Sequence, residues 1–506
     1  MLFCAAVFCG CDQAIDYVKL GEADGCEKER AFVESFFAEG GELAALGLRL
    51  LPESNTADEV ADEAAAKAGS KIPRPLLFIE FFSCWEYEGA FGDVLVSRAF
   101  LVPREDPLAG RTTTSLAACL EGQETLVPPG EIAPPFVALR VDGLALGDKG
   151  YPLVQAVGIS IGTGNKRPKN HLLKKIRILG ETFEAAPKPL AASPQPVWLA
   201  VGGDLMLDSG ASDILFREGP SAVFGDTAEM LSSSDLTLVN LEGVVSSLGE
   251  KITKSFNFRF VPDIAPALRD AGIDVVLHAN NHVFDYGREA FLDSLSLIDQ
   301  AGIGIVGAGL DDDAASEPFV FRRGEETFRI FGLASFYREW NGWDGTTAAA
   351  GPGRAGMLHA RRGGLEKLSS KFLPDGDPAL DVVLFHGGTE WSIDPDVFTR
   401  RIFTELLAAG ADVVIGSHPH KVQGFEWVLG KPVFWSLGNY VFGGEDNNIG
   451  EEEGLFIRLG FWEGRLLYLE PFALILAHTR SDIAPREMLE LFYDRSRQLR
   501  EGTALP

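Results

Sequence analysis

Five apolar runs in the second half of the chain predict the strands of one sheet. They cover Val197–Val201, Leu236–Leu241, Ile273–Leu277, Ala379–Phe385 and Ala411–Ile415. Segments with helical spacing fall between them, at Ile264–Ala271, Gly287–Ala301 and Asp394–Ala409. Apolar strands that alternate with helices are typical of a largely parallel sheet with helical layers. The pattern therefore predicts an α/β domain in which the carboxyl ends of the strands can meet at one edge.

The residues that follow these strands are of the types that bind metals and transfer protons. In chain order they are Asp204, Glu242, Asn281 with His282, His386, and His418 with His420. Loops at the carboxyl ends of strands carry the chemistry of open α/β sheets. Carboxylate and imidazole ligands without thiolate suit manganese, iron or zinc and argue against a purely structural site. We therefore expect one or two divalent ions, with a water acidified between two such ions for attack on a phosphoryl or similar centre.

Each residue alone also has an ordinary structural interpretation. A carboxylate at a strand end is common, and a lone buried histidine is usually a hydrogen-bonded core residue. The His418-Pro419-His420 element is the strongest, because Pro419 stiffens a turn that follows a buried strand. Its two imidazoles can converge on one or two cations, or one can lie at the metals and the other behind. Taken together, the set is hard to explain by packing.

Six motifs, in order, resemble the bacterial capsule-synthesis family of the CapA type, which is linked to poly-gamma-glutamate export. They are Gly203-Asp204-Leu205-Met206, Asn240-Leu241-Glu242, Ala279-Asn280-Asn281-His282 with Asp285-Tyr286-Gly287, His386-Gly387-Gly388 with Glu390, Gly416-Ser417-His418-Pro419-His420, and the segment 436–442. The family is related to calcineurin-like metallophosphoesterases. The resemblance therefore implies a four-layer αββα sandwich, two sheets flanked by helices, over residues 197–478.

The same resemblance implies a role for each site residue. The metal ligands would be Asp204, Glu242, Asn281, His386, His418 and His420. His282 would donate a proton to the leaving group, and Asp285 would hold it in place. Met206 stands where metallophosphoesterases usually carry a histidine, as in the capsule family, and this removes one nitrogen ligand. Fewer ligands leave open whether both metals bind tightly.

Three further residues are secondary candidates. Arg259, which alternates with aromatic residues in 256–260, can reach an anionic substrate or can be one exposed arginine on an edge strand. Glu390 can line the substrate cleft. Asn439 can cap a loop or hydrogen-bond a metal ligand from behind.

The rest of the chain is divided by composition. Residues 1–14 resemble the end of a bacterial lipoprotein signal, with Cys11 after Gly10 as the lipidated residue; the alternative is a buried apolar first strand. Residues 15–184 predict a separate α/β domain of unknown ligand, with a helix over Glu27–Leu51 and strands over Leu76–Phe82, Val94–Val102 and Phe136–Val141. Residues 185–196 form a linker rich in proline and alanine, and residues 479–506 contain a C-terminal helix.

The overall charge excludes some classes of binding partner from the expected ones. A formal net charge of −28 over 506 residues disfavours a nucleic-acid partner and electrostatic docking on an anionic membrane.

We expect an extracytoplasmic lipoprotein of the bacterial cell envelope, held to the membrane through its lipid anchor. It would be a metal-dependent hydrolase of phosphoester or amide bonds, acting on an anionic surface polymer or its precursor. The alternative is a non-catalytic polymer-binding or assembly factor with a degenerate metal site. An epimerase-like activity rests only on analogy within the fold.

Overall fold

A computed structural model shows a chain of two compact units. It describes residues 137–140, 145, 195–207, 210–336, 343–374, 377–442, 454–477 and 479–502, with only the backbone at 486 and 500–502, and the backbone of the strands before residue 164. The first unit comprises residues 1–102, 113–131 and 140–195, and the second comprises 103–112, 132–139 and 196–506. No helix in these described parts is long and apolar enough to cross a membrane.

The first unit contains a six-stranded sheet. The strands of this half of the chain are β1 Leu2–Gly10, β2 Gln13–Val18, β3 Arg49–Leu50, β4 Leu76–Cys84, β5 Val94–Ala99, β6 Val102–Arg104, β7 Thr113–Thr114, β8 Val137–Val141 and β9 Val154–Thr163. The sheet has the order β3-β2-β1-β4-β9-β5. The strands predicted near residues 76, 94 and 137 are present. Within the apolar first residues, Leu2–Gly10 forms β1.

Several predictions for this half fall on residues that the structure does not describe. The lipidation site Cys11 is one of them, and most of the linker 185–196 is another. The helix predicted over Glu27–Leu51 also lies outside the described residues, except at its end, where Arg49–Leu50 is a strand rather than helix. These predictions stay predictions.

The second unit contains two larger sheets and several short pairings. Its strands are β10 Val197–Met206, β11 Leu236–Leu241, β12 Val244–Val245, β13 Arg259–Phe260, β14 Val275–Leu277, β15 Gly304–Val306, β16 Ala308–Gly309, β17 Phe319–Arg323, β18 Glu326–Ser335, β19 Gly356–Met357, β20 Ala379–Gly387, β21 Val413–Ser417, β22 Val422–Val428, β23 Lys431–Leu437, β24 Asn439–Phe442, β25 Gly454–Trp462, β26 Arg465–Ala477 and β27 Arg480–Ile483.

The helices of this unit confirm the helical segments predicted there. They are α1 Ala211–Glu218, α2 Pro220–Phe224, α3 Ala228–Ser233, α4 Ile264–Asp270, α5 Gly287–Gln300, α6 Asp312–Ser316, α7 Gly364–Ser369, α8 Val397–Ala409 and α9 Arg486–Gly502. Helix α8 begins later than the predicted Asp394, because the Asp396 side chain accepts a hydrogen bond from the backbone N–H of Thr399 and caps it.

The five predicted strands divide between two sheets. Strands β10, β11 and β14 lie in an eight-stranded sheet of order β15-β14-β11-β10-β25-β26-β27, with β24 also paired to β10. Strands β20 and β21 lie in a six-stranded sheet of order β17-β18-β20-β21-β23-β22. The neighbouring pairs among β15, β14, β11 and β10, and among β18, β20, β21 and β23, are parallel. The mixed α/β class is confirmed, and the carboxyl ends of the parallel strands in each sheet carry the predicted polar residues.

Three apolar clusters hold the second unit together. The first contains residues of both sheets, such as Leu199 and Leu238 from one and Val382 and Ile415 from the other. The second packs helices α1 to α5 against the eight-stranded sheet. The third packs α7, α8 and α9 against the six-stranded sheet. Complete burial of a leucine or phenylalanine stabilises by about 1.5–3 kcal/mol relative to exposure, so these clusters fix the two sheets in position.

Glycines allow the strands to approach closely at the carboxyl edge. A Cβ on Gly203 would lie 2.0 Å from the carbonyl oxygen of Gly438, and one on Gly416 would lie 2.1 Å from that of Trp435. Real Cβ atoms do not approach a backbone oxygen so closely. Gly203, directly before Asp204, and Gly416, two residues before His418, are therefore required by packing.

Gly203→Ala is expected to destabilise the second unit by about 1–3 kcal/mol, because the added methyl group must displace the backbone of Gly438. The midpoint of urea unfolding, followed by tryptophan fluorescence, measures the effect. Gly351→Ala is the matched control, since a Cβ there would meet only the Arg354 side chain at 3.6 Å. Equal midpoints for the two variants would contradict the packing argument.

Candidate metal centre

Asp204 forms hydrogen bonds with residues of both sheets. It is fully buried at the end of β10. Its Oδ1 accepts a hydrogen bond from Asn240 Nδ2 at 2.7 Å, and its Oδ2 accepts one from the backbone N–H of His418 at 3.0 Å. Asn240 belongs to the same sheet and His418 follows a strand of the other. Burial alone would raise the pKa of Asp204, but His386 and His420 hold it below its ordinary value.

Glu242 lies fully buried beside Asp204, with one oxygen unsatisfied. Its Oε2 is 3.5 Å from Asn240 Nδ2, whereas Oε1 has no hydrogen-bond partner among the described residues. His282 lies within ion-pair distance of this atom, with its Nε2 3.7 Å from Oε1. Burial and the neighbouring Asp204 raise the pKa of Glu242 well above its ordinary value. Two carboxyl groups that share a buried site this way fit a cation between them.

His386 belongs to the six-stranded sheet and lies close to the carboxylates of Asp204 and Glu242. Its Nδ1 lies 3.1 Å from Asn240 Nδ2 and 3.6 Å from Asp204 Oδ1, and its Nε2 lies 3.0 Å from Asn281 Oδ1. Asn240 Nδ2 can only donate, so Nδ1 accepts that bond and Nε2 carries the proton toward the Asn281 oxygen. Burial lowers the pKa of His386, which favours the neutral imidazole that metals bind.

Asp204, Glu242 and His386 form the centre of the site. Each contributes a ligand atom, and these atoms lie within 4.8 Å of one another. All three side chains are fully buried. The structure thus brings together donors from three strand ends of two sheets.

His418 and His420 are held in strained backbone above this centre. Both are non-glycine residues in the left-handed region, with φ of 101° and 56°. The His418 ring lies 4.6 Å from the His386 ring, and its Nδ1 has no hydrogen-bond partner in the part of the chain that the structure describes. His420 Nδ1 lies 2.8 Å from Asn439 Oδ1 and 3.6 Å from Asp204 Oδ2.

These residues fit a divalent cation. Glu242 Oε1 and His418 Nδ1 are buried polar atoms without a partner among the described residues, and leaving such groups unsatisfied costs about 1–3 kcal/mol each. The set combines carboxylate, imidazole and amide oxygen without thiolate, which suits manganese, iron or zinc. Asn281 contributes through Oδ1, which lies against His386.

A second group of polar side chains surrounds His282. Its Nδ1 lies 2.6 Å from Asp285 Oδ2, and Asp285 also accepts hydrogen bonds from Lys254 Nζ at 3.1 Å and the backbone N–H of Phe258 at 2.7 Å. The His282 ring stacks on Phe258 at 4.1 Å between centroids. Burial raises the pKa of Asp285 to about 7, against the opposing charge of Lys254. Burial, followed by Lys254, lowers the pKa of His282 well below its ordinary value.

Lys254, Asn240 and Ser417 are site residues for which sequence reasoning assigned no role. The Lys254 side chain is 1% exposed, donates to the backbone oxygen of Asn281 at 2.7 Å and lies 4.7 Å from the Trp343 ring centroid. Asn240 pairs in register with Asp204. Ser417 Oγ lies 3.2 Å from His386 Nδ1. Asn240 and Ser417 belong to the sequence motifs given above. Lys254 lies in a loop between β12 and β13, where no motif or periodic pattern indicates a site residue.

The secondary candidates have varied surroundings. Glu390 is about half exposed, and its Oε1 lies 4.0 Å from His418 Nε2. Asn439 contacts His420, as given above. The Arg259 guanidinium lies 3.4 Å from the Tyr286 ring centroid and donates to the backbone oxygen of Gly249 at 3.1 Å. Met206 is buried in the second apolar cluster.

Comparison with known proteins agrees with the resemblance seen in the sequence. Residues 198–444 match the family described as "Bacterial capsule synthesis protein PGA_cap". This range contains the residues of the candidate metal centre and ends before β25.

Curated relatives share this part of the chain. The "PGA biosynthesis protein CapA" of Bacillus subtilis (strain 168) is 26% identical over 242 residues, which cover 47% of this chain and 62% of that protein. The "Capsule biosynthesis protein CapA" of Bacillus anthracis is 28% identical over 247 residues, which cover 47% of this chain and 58% of that protein. The chain thus spans about six tenths of the length of these two relatives.

A solved structure gives a weaker likeness. The crystal structure of the protein TT1561 of Thermus thermophilus aligns with 56% of this chain and all of that chain, with 13% sequence identity and a TM-score of 0.31. At this TM-score the likeness does not assign the fold.

The buried pair of Lys254 and Asp285 is expected to couple strongly. Lys254→Met leaves the Asp285 carboxylate buried without its cation, so unfolding should be easier by about 3–5 kcal/mol. Asp285→Asn in the same chain should recover much of that loss, because the uncompensated charge is removed. Urea unfolding of the wild type, both single variants and the double variant measures the coupling free energy.

The exposed pair of Arg401 and Glu405 provides a control for this cycle. Arg401→Met removes a cation from a solvated ion pair and should leave the unfolding midpoint unchanged. Additive effects of Lys254→Met and Asp285→Asn would show that the two groups do not depend on each other.

Proposed function

Because residues 198–444 carry a domain of the bacterial capsule-synthesis type, we propose that this protein is a metal-dependent hydrolase acting in the synthesis or export of a surface polymer. Poly-gamma-glutamate is the first candidate polymer, since the relatives are named for its biosynthesis or for that of a capsule. The observation that carries the proposal is the buried set of Asp204, Glu242 and His386, with Glu242 Oε1 unsatisfied among the described residues. We also propose the four-layer, metallophosphoesterase-like sandwich, which the three apolar clusters support.

The cation would be held at the shared edge of the two sheets. Asp204, Glu242 and His386 would hold it, and Asn281, His418 and His420 would complete a shell for one or two ions. Bound there, a divalent cation acts as a Lewis acid and lowers the pKa of water near a phosphoryl or amide centre. The low dielectric of these buried side chains strengthens such electrostatic effects.

His282 would supply a proton to the leaving group. Asp285 accepts the Nδ1–H, so Nε2 is the nitrogen that exchanges the proton. Because burial keeps the ring neutral, Nε2 would first take up a proton from solvent and then give it to the leaving group. This nitrogen faces Glu242 Oε1 at 3.7 Å, beside the donor set. Stacking on Phe258 and the hydrogen bonds that Lys254 and Phe258 donate to Asp285 keep the ring in this orientation.

A polymer-binding or assembly factor on the same fold is the second proposal. It is favoured by Met206, which packs in an apolar cluster and leaves the first motif with Asp204 as its ligand. In that case Glu390 and Arg259 would contribute to polymer binding. In either case we propose a place in the bacterial cell envelope, with Cys11 as the site of a lipid anchor.

Metal analysis separates the two proposals. The purified wild type should contain one to two equivalents of manganese, iron or zinc by elemental analysis. Glu242→Gln and His386→Ala should each lower the content below half, because each removes a buried donor. Glu405→Gln is the control, since this carboxyl group is exposed, pairs with Arg401 and belongs to no group of possible metal ligands among the described residues. A wild type without metal after reconstitution would contradict the hydrolase.

Two substrates whose leaving groups differ in their need for a proton test the role of His282. For a phenyl phosphodiester, whose leaving group needs a proton, His282→Gln should lower kcat by about 10²–10⁴-fold at unchanged metal content. For a p-nitrophenyl phosphodiester, whose leaving group departs as an anion, the loss should be much smaller. Steady-state kinetics of both esters gives the two ratios. An equal loss for both would mean that His282 does not protonate the leaving group.

A further inference from the structure

An exposed apolar surface lies next to the metal centre, on the segment between β20 and the first turn of α8. This rim patch consists of Trp391, Ile393, Val397 and Phe398, which are 53%, 45%, 79% and 55% exposed. Single exposed apolar residues are normal on a soluble protein. Four large ones within eight residues form a patch of the kind that marks an interaction surface.

The inner end of the rim patch touches the histidine loop. The Trp391 ring lies 5.3 Å from the His420 ring, and the Trp391 backbone N–H donates to the carbonyl oxygen of Pro419 at 2.8 Å. Trp391 has a φ of 64°, a conformation that a bulky residue adopts only when its surroundings impose it. The preceding Glu390 reaches His418. The patch therefore begins where the metal centre ends.

The outer end lies on α8, which packs beside the same loops. A Cβ on Gly388 would lie 3.3 Å from Thr399 Oγ1 and 3.5 Å from Pro419 Cγ. The first turn of α8, with Val397 and Phe398, thus adjoins the segments that follow His386 and precede His420. The rim patch therefore reaches from the histidine loop to the first turn of α8.

Cationic groups accompany the aromatic rings of the rim patch. Lys421 Nζ lies 6.0 Å from the Trp391 ring centroid, and the Arg361 guanidinium lies 5.6 Å from that of Phe398. Glu390 and Asp394 are the exposed acids of the segment. The surface therefore combines apolar area with cations, beside a centre suited to a metal and a phosphate.

We infer that this site binds a phosphate ester carried on a long apolar chain, with the phosphate at the metal centre and the chain along the rim patch. The inference rests on the proposed phosphoester chemistry and names its substrate class. An amphiphile of this kind matches both ends of the site, whereas a wholly hydrophilic polymer leaves the apolar end unused. A protein partner bound over Trp391 would cover the approach to His420, so a flexible chain is the better occupant.

Alkyl phosphates of different length test the inference directly. Isothermal titration calorimetry of the metal-loaded full chain is carried out with dodecyl phosphate and ethyl phosphate, both below the critical micelle concentration. Dodecyl phosphate should bind at least about 10-fold more tightly than ethyl phosphate, because its methylene groups move from water onto the apolar rim patch. The double variant Val397→Ser/Phe398→Ser should lose most of that ratio. Leu310→Ser, at a leucine that is 65% exposed outside the patch, should keep it.

Two results would overturn the inference. One is equal affinity for the two phosphates in the wild type, and the other is a chain-length ratio that survives in the double variant. Sedimentation with vesicles of phosphatidylcholine and phosphatidylglycerol is the companion measurement. If the double variant loses vesicle binding while the ratio is absent in the wild type, the rim patch is a membrane-docking surface instead.

The proposed function and this inference fail in different ways. If metal is bound and phosphodiesters are cleaved without any chain-length ratio, only the inference falls. If the ratio is present and depends on Val397 and Phe398 but no ester is cleaved, the amphiphile site stands and the hydrolase falls.

Discussion

The carboxylate of Asp204 is the interaction on which the site depends, because it bonds to both sheets at once. One oxygen accepts from Asn240 in its own sheet, and the other accepts from the backbone of His418 beyond the neighbouring sheet. Hydrogen bonds to an ionised group are worth about 1.5–3 kcal/mol each when they are well made. The apolar clusters bring the sheets into contact, and this carboxylate fixes their relative position at the edge that carries the candidate site.

Strain and close packing accumulate at the same edge. His418 and His420 occupy left-handed backbone, and Gly203 and Gly416 allow approaches that no side chain would permit. Each strained residue costs about 1–3 kcal/mol, and such costs persist where the surroundings over-determine the conformation. The hydrogen bonds of Asp204 to the His418 backbone and of Asn439 to His420 supply that restraint. Rigidity of this kind is what a preformed ligand set requires.

Much of this arrangement was predictable from local patterns, and the rest was not. Continuous apolar runs identified β10, β11, β20 and β21 because fully buried parallel strands have no polar face. Polar residues at the carboxyl ends of these runs pointed to Asp204, Glu242 and His386, which lie close together in the structure. The division of the strands between two sheets could not be read from those runs, since either arrangement buries them. Lys254 was assigned no role because a loop lysine carries no periodic signal, and only the folded chain brings it to Asp285.

The bond between Asp204 and residue 418 uses the backbone amide of that residue, not its imidazole. The hydrogen bond between the sheets therefore does not use the imidazole of His418. A lineage of such proteins can lose the imidazole by a single substitution and still retain the joined sheets. A substitution at His418 that keeps the backbone N–H would therefore remove a proposed metal ligand and leave this hydrogen bond between the sheets in place.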